Sequence, residues 1–302
     1  MESVTILGGS GLVGSHLVNT LKSKFKVNIA STQKDLCENN PNYLYWNYKK
    51  GELDPAILQT DHLINLAGAG IADKPWTKTR KQDILDSRVK STEFVLTHFK
   101  KHNIGLKSYV GASAMGYYGH CPDVKKSESD PPCSKDFLSE VCDKWEKSHA
   151  EAEDIANSYT LLRIGTVFSR DGGALKPMIA PLKFGLAVYM GDGKQYVSWI
   201  HIADLCKLIE YSMTHEKGLG ILNAASPNPV TNKGLMALLK KHINPFSLLL
   251  PAPKIFLKLF LGELSMIVLN NCLLSTEKLT SRGFVFEYPS LENALVQLFP
   301  RK

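Results

Sequence analysis

Gly9, Gly11 and Gly14, in the run VTILGGSGLVG at residues 4–14, have the spacing that holds a diphosphate. In a G-x-G-x-x-G turn the first glycine permits a tight bend and the second lets backbone approach a pyrophosphate. The third packs helix against strand. The helix that follows offers free N–H groups and the positive end of its dipole. A short apolar strand before the turn and an apolar helix start after it supply the context this chemistry needs. Gly8, Gly9, Ser10, Gly11, Leu12, Val13 and Gly14 are therefore the candidate cofactor loop.

The end of the second strand selects the cofactor. NAD sites usually place an acid there, on the ribose hydroxyls. Here the residues are Ala30, Ser31, Thr32, Gln33 and Lys34, and Asp35 falls past the strand end. Ser31, Thr32 and Lys34 suit a 2′-phosphate, so NADP is expected over NAD.

These groups need elements to carry them. Apolar runs at residues 4–7, 27–30, 43–46, 62–66, 107–112 and 160–164 read as strands. Helices are expected at residues 12–22, 79–102 and 137–157. The alternation implies a doubly wound parallel sheet, a Rossmann-type α/β fold, with ligands at the carboxyl ends of the strands. Residues 8–14, Ala67 to Gly70, Ser113 and Gly165 would gather at that edge, with Leu66, Ala67 and Gly68 expected at the cofactor. Beyond residue 170 the pattern loosens. Residues 1–170 read as the nucleotide-binding domain. Residues 171–302 read as a smaller C-terminal substrate lobe interleaved with the sheet.

Composition sets the outer bounds. A chain of 302 residues with 44% hydrophobic and 22% charged residues can fill a large core, so disorder is excluded. The net charge of +7 favours anionic ligands. Its lysines are dispersed and carry no reader motif, so nucleic acid is not expected as a partner. Six cysteines show no C-x-x-C spacing, which points to a reducing cytoplasm and argues against a zinc site. The apolar stretch 246–274 is interrupted by Pro251, Pro253, Lys254, Lys258 and Glu263. It is too broken for a membrane span, and reads as buried core or a homodimer face, with peripheral membrane contact as the lesser alternative.

Several motifs in order resemble the extended short-chain dehydrogenase/reductases, and more closely an atypical, sugar-nucleotide-epimerase-like branch. They are GGSGLVG at residues 8–14, NLAGAGIADKPWTKTRKQDILDSRV at 65–89 and GASAMGYYG at 111–119. DFLSEVCDKWE at 136–146, LLRIGTVFSRDGG at 161–173 and QYVSWIHIADL at 195–205 complete the series. The stretch at about 250–298 is similar to that branch's own terminal region.

The resemblance implies a Ser, and a Tyr and Lys four residues apart on one helix face, acting at a reacting oxygen. Ser113 matches the Ser. Leu138 and Cys142 stand at the Tyr and Lys positions, and neither can do their work. Tyr117 is the candidate substitute proton donor, with Tyr118 beside it. Arg88 is expected at the cofactor or at an anionic substrate. Ala69, Trp76, Arg163, Trp199 and His201 are expected around the substrate. Core packing for Trp199, and a structural hydrogen-bonding role for His201, stand beside that reading. The chain thus reads as an oxidoreductase or epimerase-like enzyme on an unknown small substrate. The alternative is a non-catalytic NADP(H)-binding sensor or interaction protein.

Overall fold

The computed structural model describes residues 1–300, the side chain of Asp123 excepted. The first half runs β1 (Ser3–Leu7), α1 (Leu12–Leu21), β2 (Lys26–Ser31), α2 (Lys34–Asn39), β3 (Tyr43–Asn47), β4 (Glu52–Leu53), β5 (His62–Asn65), α3 (Lys78–Asp86), α4 (Val89–Lys101), β6 (Leu106–Ala114), β7 (Cys121–Lys126), α5 (Phe137–Ala150) and β8 (Ala156–Ile164). The second half runs β9 (Thr166–Phe168), α6 (Leu175–Ile179), β10 (Leu186–Met190), β11 (Tyr196–Val197), β12 (Trp199–His201), α7 (Ile202–Thr214), β13 (Gly220–Ala224), β14 (Val230–Thr231), α8 (Asn232–Ile243), β15 (Leu248–Ala252), α9 (Lys254–Leu261), α10 (Ser265–Leu269), β16 (Cys272–Leu274), α11 (Glu277–Ser281) and α12 (Leu291–Leu298).

Eight strands form the main sheet in the order β13-β8-β6-β5-β1-β2-β3-β4. All neighbours are parallel except β3 and β4. The strand order reverses at β1, so a crevice opens between the loops after β1 and β5. Strands this apolar on both faces need helices on both. On one face Val4, Ile6, Ile64, Val110 and Leu162 pack with Leu17 and Leu21 of α1 and with Leu205, Leu208 and Ile209 of α7. On the other, Leu7, Leu63 and Tyr109 pack with Val95, Leu96 and Phe99 of α4. A separate core around Phe168, Trp199, Leu235, Leu239 and Leu295 holds the C-terminal lobe.

The structure corrects several boundaries. The helix expected over 79–102 is two, α3 and α4, broken where Ser87 Oγ accepts the Ala69 N–H. The helix expected over 137–157 ends at Ala150 and passes through a 3-10 turn, Glu151–Asp154. β8 then starts four residues early, because Ala156 pairs with Leu106 of β6. These are tertiary demands that local periodicity does not record.

Two further features depart from the sequence reading in part. Cys121 and Cys133 form a disulfide, with Cα atoms 5.5 Å apart, and cysteine spacing gave no hint of it. The apolar stretch 246–274 is not buried core throughout. Phe246, Ile255, Leu259 and Phe260 lie 73–94% exposed. The apolar residues of α9 surround the helix, and it can turn only one side inward.

Candidate active site

The glycine loop meets β5 closely. Gly8 has φ +79°, and a Cβ there would sit 2.8 Å from the Leu66 carbonyl oxygen. Gly14 is tighter still, 2.5 Å from both the Gly8 oxygen and the Gly9 Cα. Side chains are excluded, and backbone is left facing the crevice. Gly11 is the N-cap of α1 and no side chain caps the helix, nor does an acid stand in its first turn. The N–H groups there remain available to an anion.

The loop after β5 forms the other wall. Asn65 Oδ1 accepts the Ala67 N–H at 3.1 Å, and Asn65 Nδ2 donates to Thr92 Oγ1 and Tyr109 Oη. Tyr109 Oη in turn hydrogen-bonds His149 Nδ1 at 2.6 Å. Burial holds the His149 pKa down at about 3, so the ring is neutral.

Arg88 reaches this loop from the break between α3 and α4. Its Nη1 donates to the carbonyls of Ala69 and Ile84, both at 3.0 Å. Its guanidinium lies 5.1 Å from the Trp145 ring, and a Cβ on Gly68 would come within 3.0 Å of it. No carboxylate among the described residues pairs with it, and burial lowers its pKa. A half-buried cation with no carboxylate partner, on the loop that Gly8 meets, is a setting for an anionic ligand. At β2, Ser31 is buried and its Oγ accepts the Gln33 N–H, while Thr32 and Lys34 are exposed. No acid occupies the strand end; Asp35 lies in the first turn of α2.

Ser113 and Arg163 lie side by side on β6 and β8. Glu146 of α5 joins them. Ser113 Oγ donates to Glu146 Oε1 at 2.6 Å, and Arg163 Nε and Nη2 donate to the two carboxylate oxygens at 2.9 and 2.8 Å. Burial opposes charge on Arg163, but Glu146 outweighs it and holds the guanidinium above its ordinary pKa. Arg163 Nη1 donates to Tyr118 Oη, which bonds Asn223 Oδ1 at 2.9 Å. Tyr118 is fully buried, and burial pushes its phenol up to about 12. Tyr117 is half-buried, its ring 3.5 Å from the Arg163 guanidinium.

Sequence reasoning missed Glu146. The signal was present: residues 138, 142 and 146 share one helix face, and Glu146 is the polar member. Cys142 lies under Gly116, where burial and then Glu146 push its thiol up to about 12. It stays neutral and inert.

The expected substrate residues disperse. Trp199 is fully buried and stacks on Phe168, its indole N–H donating to the Asn228 carbonyl, so it is core rather than pocket. His201 is 1% exposed. It caps α7 through Nδ1 and meets Gln297 through Nε2. With His16, Ser169 and Asp171 it lines a separate cavity of about 440 Å³. Asp204, next to it in α7, accepts the Glu287 and Tyr288 N–H groups. Arg163 is 2% exposed and fully engaged. Trp76 and Ala69 do border the crevice loop; Trp76 is half-buried, donates to the Ile71 carbonyl and packs edge-on against Phe137.

Comparison with known proteins extends this geometry. The model of the NAD dependent epimerase/dehydratase family matches residues 4–225, and a domain of unknown function (DUF1731) matches residues 252–298. An "Epimerase family protein" of Staphylococcus epidermidis is 34% identical over 301 residues, covering 99% of each chain. One of Staphylococcus aureus is 33% identical over 302 residues, again covering 99% of each. Among solved structures, human epimerase family protein SDR39U1 with NADPH superposes with a TM-score of 0.85 over 99% of this chain and 100% of that one. At 24% identity it speaks for the fold. A nucleoside-diphosphate sugar epimerase from Corynebacterium glutamicum gives a TM-score of 0.78 at 25% identity, over 99% of this chain and 58% of that one.

Proposed function

Since the chain belongs to the NAD dependent epimerase/dehydratase family, we propose that it is an NADP(H)-binding oxidoreductase or epimerase-like enzyme acting on a small substrate. The observation that carries this reading is the pairing of an uncapped α1 behind Gly8–Gly14 with the unpaired Arg88 at the facing loop. Backbone N–H groups of Gly9, Ser10, Leu12 and Val13 would hold the diphosphate, while the Gly11 N–H closes the turn on the Gly8 carbonyl, and Leu66, Ala67 and Gly68 would wall the nicotinamide side. Ser31 and Thr32, with no acid beside them, suit a 2′-phosphate. The NADPH of the human structural neighbour is consistent with that choice. When bound, the cofactor supplies hydride chemistry.

The chain's own residues would then position an oxygen. Ser113 is buried and directs its single proton to Glu146, which leaves its lone pairs as acceptors. It is suited to receive a proton from a substrate hydroxyl and pass its own to Glu146. Tyr117, with its ring on Arg163, is the second proton carrier in this proposal. Arg163 is a positioning residue, acting through Glu146. Residues 171–302 would form the substrate side, around their own core. Four of the six cysteines, Cys37, Cys142, Cys206 and Cys272, are unpaired and support a cytoplasmic home, with the Cys121–Cys133 disulfide as the observation against it.

The test is direct. Calorimetry with NADPH should show saturable binding, tighter than NADH. Consumption of NADPH with a panel of carbonyl compounds and nucleotide sugars should then depend on Ser113. Saturable binding with no turnover across the panel, unchanged in Ser113→Ala, would favour the sensor reading. Absence of binding to either nucleotide would end both.

A further inference from the structure

The C-terminal lobe carries an apolar face with nothing over it. β10 and β15 pair in parallel, Leu186 beside Leu248 and Val188 beside Leu250. Alternation sends Ala187 and Leu249 into the lobe's core. It turns Leu186, Leu248 and Leu250 outward, 39%, 64% and 43% exposed. Phe184 and Phe246 precede the two strands by the same step and stand 84% and 94% exposed. α9 follows at once, and none of its eight residues is buried. Ile255 and Leu259, and Phe256 and Phe260, form adjoining i,i+4 stripes, all more than half exposed. A parallel strand pair is ordinarily covered on both faces. An exposed apolar surface of this breadth marks a contact site.

Charge selects the occupant. Lys183, Lys254 and Lys258 are set among these side chains. The nearby acids are engaged: Glu263 pairs with Lys81, and Asp192 accepts the Lys194 N–H with Lys254 beside it. Two-fold contact with a second copy would bring the same lysines together, on chains of net charge +7 each. An anionic lipid surface would instead neutralise them. On α9 the two lysines flank the apolar stripes, as in a helix lying along a headgroup layer. No helix among the described residues is long and apolar enough to cross a membrane, so contact would be peripheral.

We propose that the face formed by β10, β15 and α9 seats this protein on membranes rich in anionic phospholipid. Phe256 and Phe260 enter the acyl boundary while Lys254 and Lys258 meet headgroup phosphates. This does not rest on the cofactor reading. The test is co-sedimentation of the full chain with phosphatidylcholine vesicles, with and without about 30 mol% phosphatidylglycerol. Sedimentation velocity without lipid runs alongside. The anionic vesicles should pellet the protein, and plain phosphatidylcholine should bind about tenfold less. Phe256→Ser/Phe260→Ser and Lys254→Glu/Lys258→Glu should each lose about tenfold in vesicle binding. Since Lys254, Phe256, Lys258 and Phe260 are all exposed, circular dichroism of both variants should match the parent. Failure to pellet with anionic vesicles would overturn the proposal. So would a lipid-free dimer that Phe256→Ser/Phe260→Ser dissolves, which would assign the face to a second copy.

Discussion

Glu146 grips Arg163 through two parallel hydrogen bonds of 2.9 and 2.8 Å, with both side chains more than nine-tenths buried. One residue comes from a helix and the other from a strand, so the pair fixes α5 to β8. Glu146 also accepts a hydrogen bond from Ser113 Oγ.

Such a pair costs most when half of it is removed, because a buried charge is left without compensation. Arg163→Met should destabilise the fold by about 3–5 kcal/mol. Arg163→Met with Glu146→Leu should recover much of that loss. Urea unfolding of the two single variants and the double one measures it. Equal stability of parent and Arg163→Met would refute the assignment.

Arg88 has no carboxylate partner among the described residues, and its Nη1 reaches the Ala69 carbonyl. Arg88→Met should weaken NADPH binding by about tenfold or more, the worth of one charge-assisted hydrogen bond. Stability should fall far less than in Arg163→Met. Fluorescence titration with NADPH tests this. An unchanged dissociation constant would remove Arg88 from the cofactor site.

Gly14→Ala should abolish nucleotide binding. Its Cβ would stand 2.5 Å from the Gly8 oxygen and the Gly9 Cα, and both are backbone atoms that can yield only by moving the loop. Gly51→Ala is the control for a glycine with open space around it: its φ of +69° costs about 1 kcal/mol of stability, without touching binding. Calorimetry on both variants separates loop closure from general strain.

His149 sets an acid limit on stability. Its folded pKa is depressed to about 3 from an unfolded value near 6.5, and burial is the cause. Between these values the unfolded chain binds the proton and the folded one does not. Stability is therefore complete above about pH 6.5 and falls with acidification by up to about 1.4 kcal/mol per pH unit. His149→Gln should flatten that limb. Unfolding midpoints at pH 7, 5.5 and 4.5, read against the parent, decide it. Parallel acid limbs would show that other groups control the slope.

Thiol labelling should order by burial. Cys37 is the partly exposed free cysteine, whereas Cys142, Cys206 and Cys272 are buried, each with its thiol pushed up to about 12. Under native conditions alkylation followed by mass spectrometry should modify Cys37 first. Early modification of Cys142 would reopen it as a reactive group.

The sequence by itself determined the parallel sheet, the glycine loop and the absence of an acid after β2. Each is a local matter: alternating apolar runs, glycine where no Cβ fits, and residue identity at a strand end. Ser113 was placed correctly at the end of β6 for the same reason. Only the tertiary structure decided what these groups face. Glu146 meets Ser113 and Arg163 across three elements whose separation in the chain carries no record of their approach. Arg88 reaches the loop after β5 because α3 and α4 part there, a break that helical periodicity does not announce. Trp199 and α9 show the limit most plainly. Both are apolar, and one is wrapped in the lobe's core while the other is left in water. Burial is a property of the neighbours a segment meets, and those are assembled only when the whole chain packs.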